Sequence, residues 1–280
     1  MAKINLAKSA GFCFGVKRAL KIASETAHTN KCVYMLGDIV HNEQVVKKIE
    51  KTGIKKIKAL RKTKDATLLI RAHGSSLATL KKAMALGYKI VDATCPMVKE
   101  IHRIARQKEK QGYKVIVIGD KRHDEVLGII GQLKRKAIAI DKPEVIPLAE
   151  IRKIRKACVV VQSTQNFDNV IRIIDILKAN IQEVAFFNTI CSPTRTKQGE
   201  IKRMPLVNDI MIIIGSRESA NTRRLYEISK SLNMRSYWVQ SKNEIRRDWL
   251  KDVKKIGITA GASTPEETTY SIIKYINKLV

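Results

Sequence analysis

Short apolar runs alternate with helix-periodic segments along the whole chain, and that alternation restricts it to a layered α/β fold. The runs 32–36, 67–70, 90–91, 115–118, 158–161, 210–214 and 256–259 are short and mainly apolar, and read as strands. Between them, 98–107, 170–178 and 222–232 carry apolar residues at three- and four-residue spacing. This succession predicts largely parallel sheets covered by helices. With 280 residues, 44 % of them apolar, the chain can bury a large core, as one large domain or as two to three small ones.

The expected strands end in small and polar residues: Arg-Ala-His-Gly-Ser-Ser (71–76), Gln-Ser-Thr-Gln (162–165), Gly-Ser-Arg-Glu-Ser-Ala-Asn (215–221) and Thr-Ala-Gly-Ala-Ser-Thr-Pro (259–265). In open α/β sheets, ligands bind outside the carboxyl ends of the strands. There is no Walker-type loop and no dinucleotide fingerprint, so nothing in the sequence supports use of ATP or NAD.

Three of the five cysteines stand in similar settings. Cys13 (Gly-Phe-Cys-Phe-Gly-Val-Lys), Cys95 (Ala-Thr-Cys-Pro-Met-Val-Lys) and Cys191 (Thr-Ile-Cys-Ser-Pro-Thr-Arg) each follow a short apolar run and precede a turn and a basic, helix-like segment. A thiolate at a helix N-terminus is stabilised and ready to bind metal. Three of them from distant loops could hold one centre with an open position, where metal chemistry takes place. Cys32 and Cys158 read as apolar fillers inside strands. No Cys-x-x-Cys pair occurs, so spacing alone does not establish a metal site, and a zinc enzyme with three cysteines fits the thiols equally well.

His41, His73 and His123 occupy comparable loop positions. Each is ordinarily a polar surface residue, but three together among Gly and Ser suit an anion, because imidazole donates to phosphate oxygens. Ser219, Asn221 and Ser263 add neutral donors beside expected helix starts, where Ser219 or Asn221 equally well reads as a helix cap. Glu125, two residues after His123, is a proton donor or an ordinary surface carboxylate. His28 and His102 fall in helix-like segments and read as surface or packing residues.

The formal net charge is +28, with dense basic stretches at 47–64, 103–114 and 151–156. Such a charge suits nucleic acid, an anionic membrane, an anionic substrate or an acidic protein. Aromatic content is only 5 % and no base-stacking motif is present, so nucleic acid is not expected as the main partner. No run approaches a membrane span, no signal-peptide core opens the sequence, and an odd number of cysteines argues against a disulfide framework. A cytoplasmic protein with no membrane partner is expected.

Taken in order, Gly-Phe-Cys-Phe-Gly-Val-Lys-Arg-Ala, Val-His-Asn, Ala-His-Gly, Asp-Ala-Thr-Cys-Pro, His-Asp-Glu-Val, Gln-Ser-Thr, Thr-Ile-Cys, Gly-Ser-x-x-Ser-x-Asn and Thr-Ala-Gly-Ala-Ser-Thr-Pro span nearly the whole chain. In these motifs the sequence resembles the 4-hydroxy-3-methylbut-2-enyl diphosphate reductases. The resemblance implies three similar α/β lobes in a pseudo-threefold trefoil around a central iron–sulfur site. The expected lobes are 14–95, 96–187 and 188–280, with 1–13 packing on the last. It implies a [4Fe–4S] cluster on Cys13, Cys95 and Cys191 with the fourth iron open. His41, His73, His123, Ser163, Thr164, Ser219, Ala220, Asn221 and Ser263 are then substrate-binding, and Glu125 delivers the proton. The implied partners are a diphosphate substrate and an acidic electron donor, a ferredoxin or flavodoxin. Two positions depart from the family's pattern. Ser163 stands where Thr is frequent and keeps the hydroxyl, and Ala220 can offer only its backbone N–H.

Overall fold

The computed structural model describes residues 2–280. The chain runs β1 (Lys3–Leu6), α1 (Phe14–Thr29), β2 (Val33–Leu36), α2 (Glu43–Glu50), β3 (Lys55–Ile57), β4 (Ala66–Ile70), α3 (Leu77–Ala85) and β5 (Tyr88–Asp92). It continues α4 (Pro96–Lys110), β6 (Lys114–Ile118), α5 (Asp124–Ile130), β7 (Ile138–Ile140), α6 (Leu148–Ile151), β8 (Lys156–Val161), α7 (Phe167–Asn180) and β9 (Glu183–Phe186). The last stretch is α8 (Ser192–Ile201), β10 (Ile210–Ile214), α9 (Ala220–Leu232), β11 (Ser236–Val239), β12 (Lys255–Ala260) and α10 (Glu266–Asn277).

One topology is used three times. The sheets have the orders β3-β2-β4-β5, β7-β6-β8-β9 and β11-β10-β12-β1, and every pairing is parallel. The fold is therefore α/β with three parallel-sheet lobes. In the third sheet the edge place is filled by β1 from the start of the chain, in register Lys3 to Lys255 through Leu6 to Ile258. Parallel neighbours need crossover connections, and the helices supply them. By contacts the chain divides into two compact units. One, residues 1–17, 40–47 and 192–280, holds the sheet of β1 and β10–β12; the other, 18–39 and 48–191, holds the remaining two sheets.

The inner strands are buried on both faces, which is why they read as unbroken apolar runs. In the middle sheet Ile116, Ile118, Val159 and Val161 point to one core, while Val115, Val117, Cys158 and Val160 point to another. Cys158 is thus a core residue, and burial pushes its thiol up to about 12. Cys32 is not inside a strand: β2 starts one residue later, and Cys32 is half-buried at its threshold.

Candidate active site

Threefold use of one topology places the singled-out residues at equivalent points. The first inner strand of each sheet is followed, five residues on, by His41 (from Leu36), His123 (from Ile118) and Ser219 (from Ile214). The second inner strand is followed, three residues on, by His73 (from Ile70), Thr164 (from Val161) and Ser263 (from Ala260). The edge strands β5, β9 and β1 lead to Cys95, Cys191 and Cys13. Polar groups thus gather at the carboxyl ends of strands, where α/β sheets bind ligands.

The cysteines share more than position. Each directly precedes a helix, α1, α4 or α8, with no intervening turn. These are the helices that lead from one sheet to the next. The amide of Cys13 donates to the carbonyl of Ala262 (3.1 Å), that of Cys95 to Ala72 (2.9 Å) and that of Cys191 to Ser163 (3.1 Å). Each acceptor lies two residues past the neighbouring inner strand. The backbone of all three cysteines is therefore fixed by the same bond, while the side chains stay half-buried thiols outside any disulfide. The Cys95 turn is further held by Asp92, which accepts from the Thr94 amide (2.9 Å) and hydroxyl, and by Arg18, which donates to the Thr94 carbonyl (3.1 Å). Each of these backbone-fixed sulfurs, at the start of a helix, has the soft donor chemistry that suits iron or another thiophilic metal.

Within the larger unit, His73 and His123 meet edge to face, with ring centroids 5.5 Å apart and ring nitrogens within 4.8 Å. Nδ1 of His123 caps α5 by accepting the Glu125 amide (3.1 Å). An accepting Nδ1 carries no proton, so the neutral ring holds its proton on Nε2. Gly74, at φ +78°, turns the chain after His73; a Cβ there would lie 2.8 Å from Cε1 of buried His102. The His73 loop is tied to α5 by the Arg71–Asp124 ion pair. Bonds from Leu77 N–H to the Gly131 carbonyl (2.9 Å) and from Gln132 Nε2 to the Ser75 carbonyl (2.7 Å) secure the following turn.

Glu125 is 1 % exposed, which excludes an ordinary surface carboxylate. Burial lifts its carboxyl above the usual range. The Ser163 amide (2.6 Å to Oε1) and Ser163 hydroxyl (2.7 Å to Oε2) pull it partly back. Thr164 accepts from Gln162 Nε2 (3.1 Å) beside this pair.

The smaller unit gathers the other donors. Ser263 Oγ donates to the His41 carbonyl (3.0 Å). Ser219, not Asn221, caps α9: its Oγ accepts the Thr222 amide (3.2 Å) and retains its own proton to donate. Asn221 Nδ2 and Thr222 Oγ1 are buried without a hydrogen-bond partner among the described residues. Buried donors are normally satisfied, so these two mark a place for a polar ligand. Gly215, at φ +152°, keeps it open, since a Cβ would stand 2.6 Å from Thr222 Oγ1. Ala220 is the first residue of α9, where an N–H has no acceptor within the helix.

Lys197, which is buried on α8, and Thr222 are not foreseen from the sequence. Neither lies in a spacing that singles it out. Of the two readings open for His102, surface or packing, the structure shows packing: it is buried on α4.

The family model described as LytB protein matches residues 4–277. The chain belongs to this family. It is similar to the 4-hydroxy-3-methylbut-2-enyl diphosphate reductase of Geotalea uraniireducens, 39 % identical over 277 residues, with 99 % of this chain and 98 % of that one covered. The enzyme of that name from Aquifex aeolicus is 38 % identical over 270 residues, covering 95 % and 93 %. Among solved structures, a protein titled (E)-4-hydroxy-3-methyl-but-2-enyl diphosphate reductase, the terminal enzyme of the non-mevalonate pathway, is 37 % identical with a TM-score of 0.72, covering 99 % of this chain and 100 % of that one. The Plasmodium falciparum E-1-hydroxy-2-methyl-but-2-enyl-4-diphosphate reductase is 29 % identical with a TM-score of 0.88, covering 99 % and 87 %. Among the described residues of this LytB-family chain, no helix is long and apolar enough to cross a membrane.

Proposed function

We propose that this chain is an iron–sulfur oxidoreductase that reductively removes the C4 hydroxyl of 4-hydroxy-3-methylbut-2-enyl diphosphate. The allylic C–O bond breaks, two electrons and two protons are taken up, and water leaves with isopentenyl or dimethylallyl diphosphate. This is the last step of the non-mevalonate isoprenoid pathway. The observation that carries the reading is Glu125: a buried, protonation-favouring carboxyl held by Ser163 two residues from His123. It lies in a chain whose full-length relatives bear this reductase name.

Cys13, Cys95 and Cys191 would hold a [4Fe–4S] cluster with its fourth iron open. When bound, the cluster supplies the electrons singly and a Lewis-acidic iron for the hydroxyl. Glu125 holds the proton that lets the hydroxyl leave as water, since a carboxyl raised by burial stays protonated closer to neutral pH. Ser163 keeps both carboxyl oxygens in place. His41, His73 and His123 donate to the substrate's oxygens, and His123 does so through Nε2 because Nδ1 is occupied by the helix cap. Ser219, Asn221, Ser263, Thr164 and the Ala220 amide receive the diphosphate, and the unpartnered Asn221 Nδ2 supports that assignment. Fixing both ends of the substrate in advance removes orientational entropy from the barrier. The lobes at 14–95, 96–187 and 188–280 are then the domains, acting in the cytoplasm with an acidic ferredoxin or flavodoxin as donor.

The test is anaerobic purification with iron and sulfide analysis, followed by turnover of the diphosphate with a small one-electron reductant. A brown protein with close to four irons that forms both products is expected. A colourless protein holding zinc and inert toward the diphosphate would refute the reading.

A further inference from the structure

Helix α8 begins directly after Cys191 and carries a lysine into the interior. Lys197 is 2 % exposed. Its Nζ donates to the carbonyls of Gly11 (3.1 Å), Ala260 (3.0 Å) and, more closely, Ser9. The three protons of the ammonium are thereby all used. No carboxylate pairs with it among the described residues. Glu200, one turn further along α8, instead accepts from the Ser9 amide (3.0 Å) and the Ser9 hydroxyl. Burial lowers the Lys197 ammonium to about 8, while the Cys13 thiol and Glu200 act to raise it.

Burying an ammonium without an ion-pair partner is unfavourable, and an apolar side chain of similar length would avoid the penalty. The acceptors indicate what is gained. Ser9 and Gly11 form the turn that leads into Cys13. Ala260 ends β12 two residues before Ala262, whose carbonyl receives the Cys13 amide. Lys197 therefore grips both sides of the Cys13 cradle.

We propose that Lys197 is a positioning residue for Cys13, fixing the 9–13 turn and setting a buried positive charge beside the thiolate. The inference rests on the reading that Cys13 binds the cluster. A cation near a thiolate-bound centre favours its electron-richer state. Loss of that cation should make the centre harder to reduce, and loss of the hydrogen bonds should loosen the turn.

The test compares Lys197→Met and Lys197→Gln with the parent, each as anaerobic holoprotein and as apoprotein. Hydrogen exchange is followed over 8–13, with 93–96 at the Cys95 turn as the internal reference. In Lys197→Met, exchange should rise over 8–13 and not at 93–96, in both forms. Iron should pass to a chelator about tenfold faster, as for loss of a supporting contact at a metal site. The reduction potential should become more negative in both variants, whereas Lys197→Gln, which retains an amide donor, should restore part of the exchange protection. Unchanged exchange over 8–13 in Lys197→Met, or unchanged potential in both variants, would overturn the proposal. The apoprotein exchange reads the clamp whether or not Cys13 binds iron. Normal iron in Cys13→Ser would instead overturn the cluster reading and leave the clamp result standing. Should Lys197→Met not be obtained folded, Lys197→Gln still carries the potential measurement, and an unchanged value there overturns the proposal.

Discussion

Ser163 holds both oxygens of Glu125, its amide on Oε1 at 2.6 Å and its hydroxyl on Oε2 at 2.7 Å. Both bonds favour the carboxylate, whereas burial favours the acid and prevails. Activity that needs protonated Glu125 falls as pH rises through its pKa. Ser163→Ala removes one bond to the carboxylate, so the pKa rises and the alkaline limb of the kcat profile moves upward. Ser163→Thr keeps the hydroxyl and should leave the limb in place. A downward or absent shift in Ser163→Ala would contradict this account.

Glu125→Gln tests the proton itself. The amide oxygen still accepts the Ser163 amide and its NH2 can donate to the Ser163 hydroxyl, which reverses the direction of that one bond and keeps the side chain in place. Turnover should fall by about 10²- to 10⁴-fold, the usual range for loss of a general acid. Iron content and substrate affinity should remain near those of the parent. Turnover within a few-fold of the parent would place the proton elsewhere.

The inner strands were legible and most edge strands were not. All six inner strands correspond to expected apolar runs, because parallel strands buried on both faces leave no polar alternation. The unread strands β1, β3, β7, β9 and β11 are all edges, and β3 (Lys-Lys-Ile) and β1 (Lys-Ile-Asn-Leu) owe their conformation to a neighbour rather than to their own residues. The family motifs pointed to the site residues one by one. Their shared spacing from strand ends was hidden, since it appears only once the strand ends are known. Lys197 was invisible for a different reason: in a chain with 54 Lys and Arg, no local pattern separates a buried lysine from solvated ones.

His102 should make stability depend on acid. Burial lowers its imidazole from 6.5 to about 4, with Arg106 and Lys99 acting in the same direction and Asp92 against. Between these values the unfolded chain binds a proton that the folded chain does not. Stability from this residue is present above pH 6.5 and lost as pH falls toward 4. The expected slope is about 1.4 kcal/mol per pH unit in the middle of the window. Urea midpoints of parent and His102→Gln from pH 5 to 7 isolate this share. Parallel curves would show that His102 binds its proton equally well in both states.

Cysteine substitutions should separate ligands from core. Cys13→Ser, Cys95→Ser and Cys191→Ser should each lose most bound iron and all turnover. Cys158→Ser places a hydroxyl in the core of the middle sheet and should destabilise by about 1–3 kcal/mol. Its iron content should not change, because a thiol raised to about 12 is no thiolate at neutral pH. Cys32→Ala should keep both iron and activity. Normal iron in Cys95→Ser would remove that residue from the ligand set.

The proposed acidic electron donor gives the net charge of +28 a testable role. An acidic donor protein meeting this surface gains from steering that salt screens, whereas a small uncharged reductant does not. Phe14, next to Cys13 and 64 % exposed, is an apolar contact available to a docked donor near a proposed cluster ligand. Turnover measured against ionic strength should fall steeply with ferredoxin or flavodoxin and stay flat with the small reductant. Phe14→Ala should slow only the protein-driven reaction, with iron content unchanged. Equal salt responses with the two donors would mean that the charge is a solvated surface with no part in docking.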